Sequence, residues 1–113
     1  MSRHESLVRL RHMLDHAREA VAMLDSKSRE DLDRDRQLDL ALVRLLEIMG
    51  EDASRTPTEE CRQYADIPWS AIIGLRNRLI HGYDSVDLDI LWEVVRHDLP
   101  PLIETLARIV PGD

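Results

Sequence analysis

The chain has 113 residues, enough for one domain with a core of its own and few enough that self-association would help it. With no Phe, two Trp and two Tyr, its core has to be built from Leu, Ile, Val, Met and Ala, a set that favours helices. A net charge of −7 excludes a protein that coats nucleic acid by bulk electrostatics, because neutralising phosphates needs a basic surface.

From about Arg3 to Asp25, Leu7, Leu10, Leu14, Ala17, Val21 and Leu24 recur in steps of three and four, which predicts a first helix with a narrow apolar seam. Arg9, Arg11, Asp15, Arg18 and Glu19 fall on its solvated faces, where Arg11 and His12 are the residues able to add to a binding cleft. His12 and His16 are four apart, but no acidic partner of the metalloenzyme kind stands with them, so no metal is expected. The opening Met-Ser-Arg-His-Glu has no apolar signal core, and no apolar run reaches the roughly 18 residues of a membrane span. A cytoplasmic chain without a membrane segment is the expectation.

Residues 26–36 are a charge run of mixed sign, read as a solvated loop or a first helical turn in which Ser28 and Asp31 resemble a capping start. From about Asp31 to Ala53 the apolar residues thicken through Leu38, Leu42, Leu46 and Met49 into a helix apolar on most sides, central in its bundle or pressed into a second subunit. Arg44, Glu47 and Glu51 form one polar line on it. Buried charge survives only when paired, so Glu47 or Glu51 is the candidate partner of Arg76 or Arg78, the alternative being an Arg44 to Glu47 pair on an exposed strip. Ser54 to Gln63 reads as a connector, a turn followed by a short capped helix with Cys61 and Tyr64 packing inward. Cys61 is the one cysteine, which rules out an intrachain disulfide, and it reads as core filler.

The stretch from Asp66 to Tyr83 is the most informative. Pro68 at a first-turn position and Gly82 past the end predict a helix with Trp69, Ile72, Ile73, Leu79 and Ile80 on its apolar side. At about 100° per residue Arg76 falls in the middle of that stripe, so its guanidinium must meet a carboxylate, reach solvent, or face a cleft between subunits where an anion can bind. Gly74, Asn77 and His81 share a neighbouring line. Arg76 and His81 diverge by roughly 140°, so they converge only on something lying over the helix end, such as a phosphodiester. If Gly82 is left-handed, His81 is the last helical residue, where the dipole favours its charged form and suits it to donate a proton. Residues 51–113 carry six basic against twelve acidic side chains, yet 68–83 holds Arg76 and Arg78 and no acid.

Asp84 to Asp87 reads as a turn, after which Leu88, Leu91, Val95, Leu99, Leu102, Leu106 and Ile109 trace a last helical seam. Pro100 and Pro101 predict a kink or break near His97 to Leu99. Trp92 reads as core, and no strand alternation, repeat or Gly-rich phosphate loop is present.

Arg76, four residues, His81, one residue and Tyr83 match the Arg-x4-His-x-Tyr signature of the HEPN superfamily, and the chain resembles its HepT-like family of small ribonuclease toxins. The likeness extends through Ile-Pro-Trp at 67–69, Ile-Ile-Gly-Leu-Arg-Asn-Arg-Leu-Ile-His-Gly-Tyr at 72–83, Val-Asp-Leu-Asp-Ile-Leu-Trp at 86–92 and Asp-Leu-Pro at 98–100, and upstream through Arg44, Glu47, Gly50 and Glu51. Leu45 departs from it, standing where the family usually has Asn.

The resemblance implies an all-α, HEPN-like antiparallel bundle of four to five helices over 1–113, acting as a homodimer. It implies the toxin of a type II toxin–antitoxin pair, a metal-independent endoribonuclease without a cofactor whose RNA substrate is cut through its own 2′-hydroxyl. Arg76 and His81 are then catalytic, with Asn77, Arg78, Glu47 and Glu51 supporting them. Tyr83 is the hydroxyl adenylylated by an MntA-like nucleotidyltransferase antitoxin. The alternative is a non-catalytic helical partner or nucleotide-binding subunit of a minimal nucleotidyltransferase. Net acidity favours that alternative, and the intact Arg76, His81 and Tyr83 favour the nuclease, since fold alone would accept leucine at position 76.

Overall fold

A computed structural model describes residues 3–82 and 85–112. The first expected helix is present as α1 (Arg3–Leu24). Its buried line is Leu10, Met13, Leu14, Ala17, Ala20 and Leu24, with Leu7 and Val21 half-buried at the edges. The charge run folds as α2 (Arg29–Arg34), where the Ser28 N–H donates to Asp31 Oδ2 at 2.7 Å.

The single helix expected over 31–53 is instead broken at Asp35, whose backbone is extended at φ −118° and ψ 91°. The Asp35 carboxylate accepts the Leu38 N–H at 3.0 Å and starts α3 (Arg36–Ser54). A short acid that can bond its own backbone makes a better cap than a helix interior residue. Leu42, Leu46 and Met49 are fully buried, as expected of a central helix. The connector holds a short helix, α4 (Thr58–Gln63), beyond which the Tyr64 carbonyl accepts the Trp69 indole N–H at 3.1 Å.

The helix expected from 68 to 81 is two shorter pieces, α5 (Trp69–Ile73) and α6 (Leu75–Leu79), separated at Gly74. The change of direction there buries Ile72, Leu75 and Leu79 and leaves Ile73 47% exposed, so the apolar stripe is not the one a continuous helix predicts. The helix ends two residues early. Ile80–His81 form a short strand, β1, paired antiparallel with β2 (Ser85–Val86), and this hairpin was not anticipated. His81 is therefore not helical, and the macrodipole gives no reason for its charge.

The last seam is α7 (Leu88–Glu93), a π-helical turn over Val94–Asp98 in which the Leu99 N–H bonds the Val94 carbonyl, and α8 (Leu99–Ile109). The break expected from the two prolines appears as this widened turn. Pro100 and Pro101 lack amide hydrogens, so the carbonyls four residues earlier lose their helical partners, while at the start of α8 those missing hydrogens cost nothing.

Together these elements make the expected all-α bundle. Helix α1 packs against α3 and α8, and α3 also packs against α5 and α6. Gly50 of α3 lies by Ile72 and Glu47 by Arg76, so α3 runs antiparallel to the α5–α6 stretch. Each fully buried leucine in the shared core contributes about 1.5–3 kcal/mol, which holds α3 as the frame on which the motif is mounted.

Candidate active site

Arg76 is the second residue of α6, whose inward residues are Leu75 and Leu79. The break at Gly74 turns Arg76 away from them, and its side chain is 61% exposed. Its Nε donates to Glu47 Oε2 at 3.1 Å, joining α6 to α3. The two helix stretches come this close because residue 50 is glycine: a Cβ there would meet the Ile72 carbonyl oxygen at 3.2 Å. Beside the ion pair is a groove of about 240 Å³, walled by Leu46, Gly50 and Ile73 and rimmed by Glu47, Glu51 and Arg76. Among the described residues the hydrogen bond to Glu47 uses Nε, and the terminal nitrogens of the guanidinium form a donor fork suited to an anion.

His81 sits on β1, also 61% exposed, with Nε2 3.6 Å from Asp87 Oδ2. The hairpin register, Ile80 opposite Val86 and His81 opposite Ser85, sets residue 87 against residue 79, and the Asp87 N–H donates to the Leu79 carbonyl at 2.7 Å. Asp87 Oδ1 accepts the Ile90 N–H at 3.0 Å and caps α7. That backbone hydrogen bond, with a further contribution from His81, holds the Asp87 carboxyl below the usual carboxylate range. Gly82, at φ +71°, takes the left-handed conformation expected of it, here to turn the hairpin rather than to end a helix.

The other expected residues divide. Glu47 meets Arg76, whereas Glu51 lies 3.7 Å from Arg44 and Arg78 lies 3.6 Å from Asp98. Asn77 is exposed. Tyr83 lies outside the described residues. The Arg76 groove does not include His81, so within one chain each has its own carboxylate rather than a shared pocket. Sequence reasoning missed Asp87, although an Asp directly before Leu-Asp-Ile-Leu is a legible helix start. Nothing in the spacing announced that this cap would meet His81. Trp92, read as core, is half-buried against it, with the Arg96 guanidinium 4.6 Å from its ring centroid. Among the described residues no helix is long and apolar enough to cross a membrane.

The family model described as "Ribonuclease HepT-like" matches residues 13–109. The chain is 34% identical over 93 residues to the "Probable ribonuclease HepT" of Thermococcus cleftensis, covering 79% of this chain and 84% of that protein. It is 34% identical over 101 residues to the "Putative RNase TTE0752" of Caldanaerobacter subterraneus subsp. tengcongensis, covering 89% and 90%. The "Putative RNase MJ1380" of Methanocaldococcus jannaschii is 31% identical over 103 residues, covering 90% and 94%. No solved structure matches the chain significantly.

Proposed function

Since the chain belongs to the HepT-like ribonuclease family, we propose that it is a toxin that cleaves RNA by metal-independent attack of the ribose 2′-hydroxyl on the adjacent phosphate. The observation that carries this reading is the pair of exposed catalytic-type side chains, Arg76 and His81, each steadied by one carboxylate. His81 takes the proton from the 2′-hydroxyl as the 2′-oxygen bonds phosphorus. The bond from phosphorus to the 5′-oxygen breaks, and that oxygen leaves with a proton from a second imidazolium. The products are a 2′,3′-cyclic phosphate and a 5′-hydroxyl. Arg76 presents its terminal N–H groups to the phosphoryl oxygens, where negative charge builds up in the transition state.

One chain supplies only one such histidine, so the reading includes a two-fold dimer in which a second copy brings its own Arg76 and His81 to the same cleft. Neutralisation is assigned to a nucleotidyltransferase antitoxin of the MntA type. The Tyr83 hydroxyl attacks the α-phosphorus of ATP and pyrophosphate leaves, putting an anionic nucleotide two residues from His81.

The test is cleavage of an end-labelled RNA by the purified chain in excess chelator, with the product termini identified. Cleavage with cyclic-phosphate ends, abolished by Arg76→Ala and by His81→Ala in folded proteins, supports the reading. The net charge of −7 favours a second one, a non-catalytic partner of a nucleotidyltransferase. Intact RNA together with a stable nucleotidyltransferase complex would establish that alternative.

A further inference from the structure

We propose that Asp87 is the positioning residue for His81: it fixes the imidazole so that Nε2 carries its hydrogen toward the carboxylate and Nδ1 takes the proton from the 2′-hydroxyl. The inference rests on the ribonuclease reading of His81 and adds to it the nitrogen that acts and the group that selects it.

Three contacts place the carboxylate. The Asp87 N–H is bound to the Leu79 carbonyl at 2.7 Å, which fixes the backbone next to β1. Oδ1 is taken by the Ile90 N–H at 3.0 Å. Oδ2 is left facing His81 Nε2 at 3.6 Å, a separation that a small rotation of an exposed ring closes to a hydrogen bond, as such pairs do when substrate arrives. An ionised carboxylate only accepts, so the ring nitrogen facing it must carry the hydrogen. In a neutral imidazole the other nitrogen then has the free lone pair. Neighbouring charges are engaged elsewhere, Arg78 with Asp98 at 3.6 Å and Asp89 with Arg29 at 2.8 Å.

The competing account is that Asp87 only caps α7, and the two roles separate because Asn caps a helix as well as Asp does. Asp87→Asn keeps an oxygen for the Ile90 N–H but presents an amide N–H₂ to His81, which draws the hydrogen off Nε2 and onto Nδ1. The expected result is an unchanged circular dichroism spectrum, KM within about twofold and kcat lower by at least about 10²-fold. The nitrogen NMR shifts of neutral His81 should change from the Nε2–H pattern in the native protein to the Nδ1–H pattern in the variant. Asp87→Asn with native kcat, or a native His81 already in the Nδ1–H form, overturns the proposal. If His81→Ala still cleaves RNA, the catalytic role of His81 on which the proposal rests fails; if His81→Ala is dead while Asp87→Asn is fully active, only the positioning role falls.

Discussion

Arg76 Nε and Glu47 Oε2 lie 3.1 Å apart, and their ion pair ties the short helix α6 to the central helix α3 at the edge of a groove. Because the arginine side chain is 61% exposed, water screens the pair and its worth to stability is about 0–1 kcal/mol. In the proposed reaction its worth is orientation, since Glu47 on Nε leaves the terminal nitrogens to meet a phosphate. Glu47→Gln keeps a hydrogen-bond acceptor but loses the charge. We expect single-turnover RNA cleavage to fall about tenfold while the thermal midpoint stays within about 2 °C. Equal losses of cleavage and stability would show that Glu47 is a structural residue only.

Gly82 turns the hairpin that carries His81, at φ +71° and with no atom of the described residues within 4 Å of a Cβ placed there. The penalty of a side chain at this position follows from that φ and is about 1–2 kcal/mol for alanine. Asparagine tolerates the left-handed region better than alanine. The expected order in urea unfolding and in cleavage is native, then Gly82→Asn, then Gly82→Ala. An alanine variant indistinguishable from native would mean that the hairpin relaxes without moving His81.

What the sequence disclosed follows the length of its patterns. Helices α1, α3 and α8 were legible because long runs of Leu, Met and Ala at helical spacing leave one way to bury them, and Pro100 and Pro101 located the π-helical turn by removing two amide hydrogens. The motif stretch was misread as one helix because its periodicity ignores Gly74, where the chain changes direction, and because a two-residue bridge at Ile80–His81 has no periodicity to detect. Arg76 was recognised as anomalous inside an apolar stripe, and Glu47 was among its candidate partners. Asp87 was invisible as a partner because its meeting with His81 depends on hairpin register, which is a property of the folded chain.

Arg96 shows how the π-helical turn is used. Its NH2 donates to the Leu24 carbonyl at 3.1 Å and the Lys27 carbonyl at 2.8 Å, capping the end of α1 and the turn after it, while its guanidinium lies 4.6 Å from the Trp92 ring centroid. Arg96→Ala removes both bonds, leaving the Leu24 carbonyl with the Lys27 N–H at 3.1 Å and taking the side-chain donor from the Lys27 carbonyl, and should cost about 2 kcal/mol in urea unfolding. Arg96→Lys should recover less than half of that, because a compact ammonium that reaches the carbonyls cannot also lay a planar face on the indole as the guanidinium does. Full rescue by lysine would assign the effect to charge rather than to geometry.

Asp39 sits on α3 only 5% exposed, and its Oδ1 has no hydrogen-bond partner among the described residues. Burial raises its carboxyl above the ordinary value, with Asp35 adding to the shift and Arg36 opposing it. With the folded value above the unfolded one, the contribution of this group to stability is fully present below the unfolded pKa of about 3.9 and is lost as pH rises through the folded value. Above that folded value the native protein therefore holds a buried charge that it would be better without. Asp39→Asn removes that charge at nearly constant shape and should unfold with about 1 kcal/mol more stability near pH 7. The difference should shrink as the pH is lowered through the raised folded value, where the native carboxyl takes up its proton. Urea titrations across that range read both quantities, and an advantage that stays constant or grows on acidification would mean that Asp39 is held by a partner favouring its charged form.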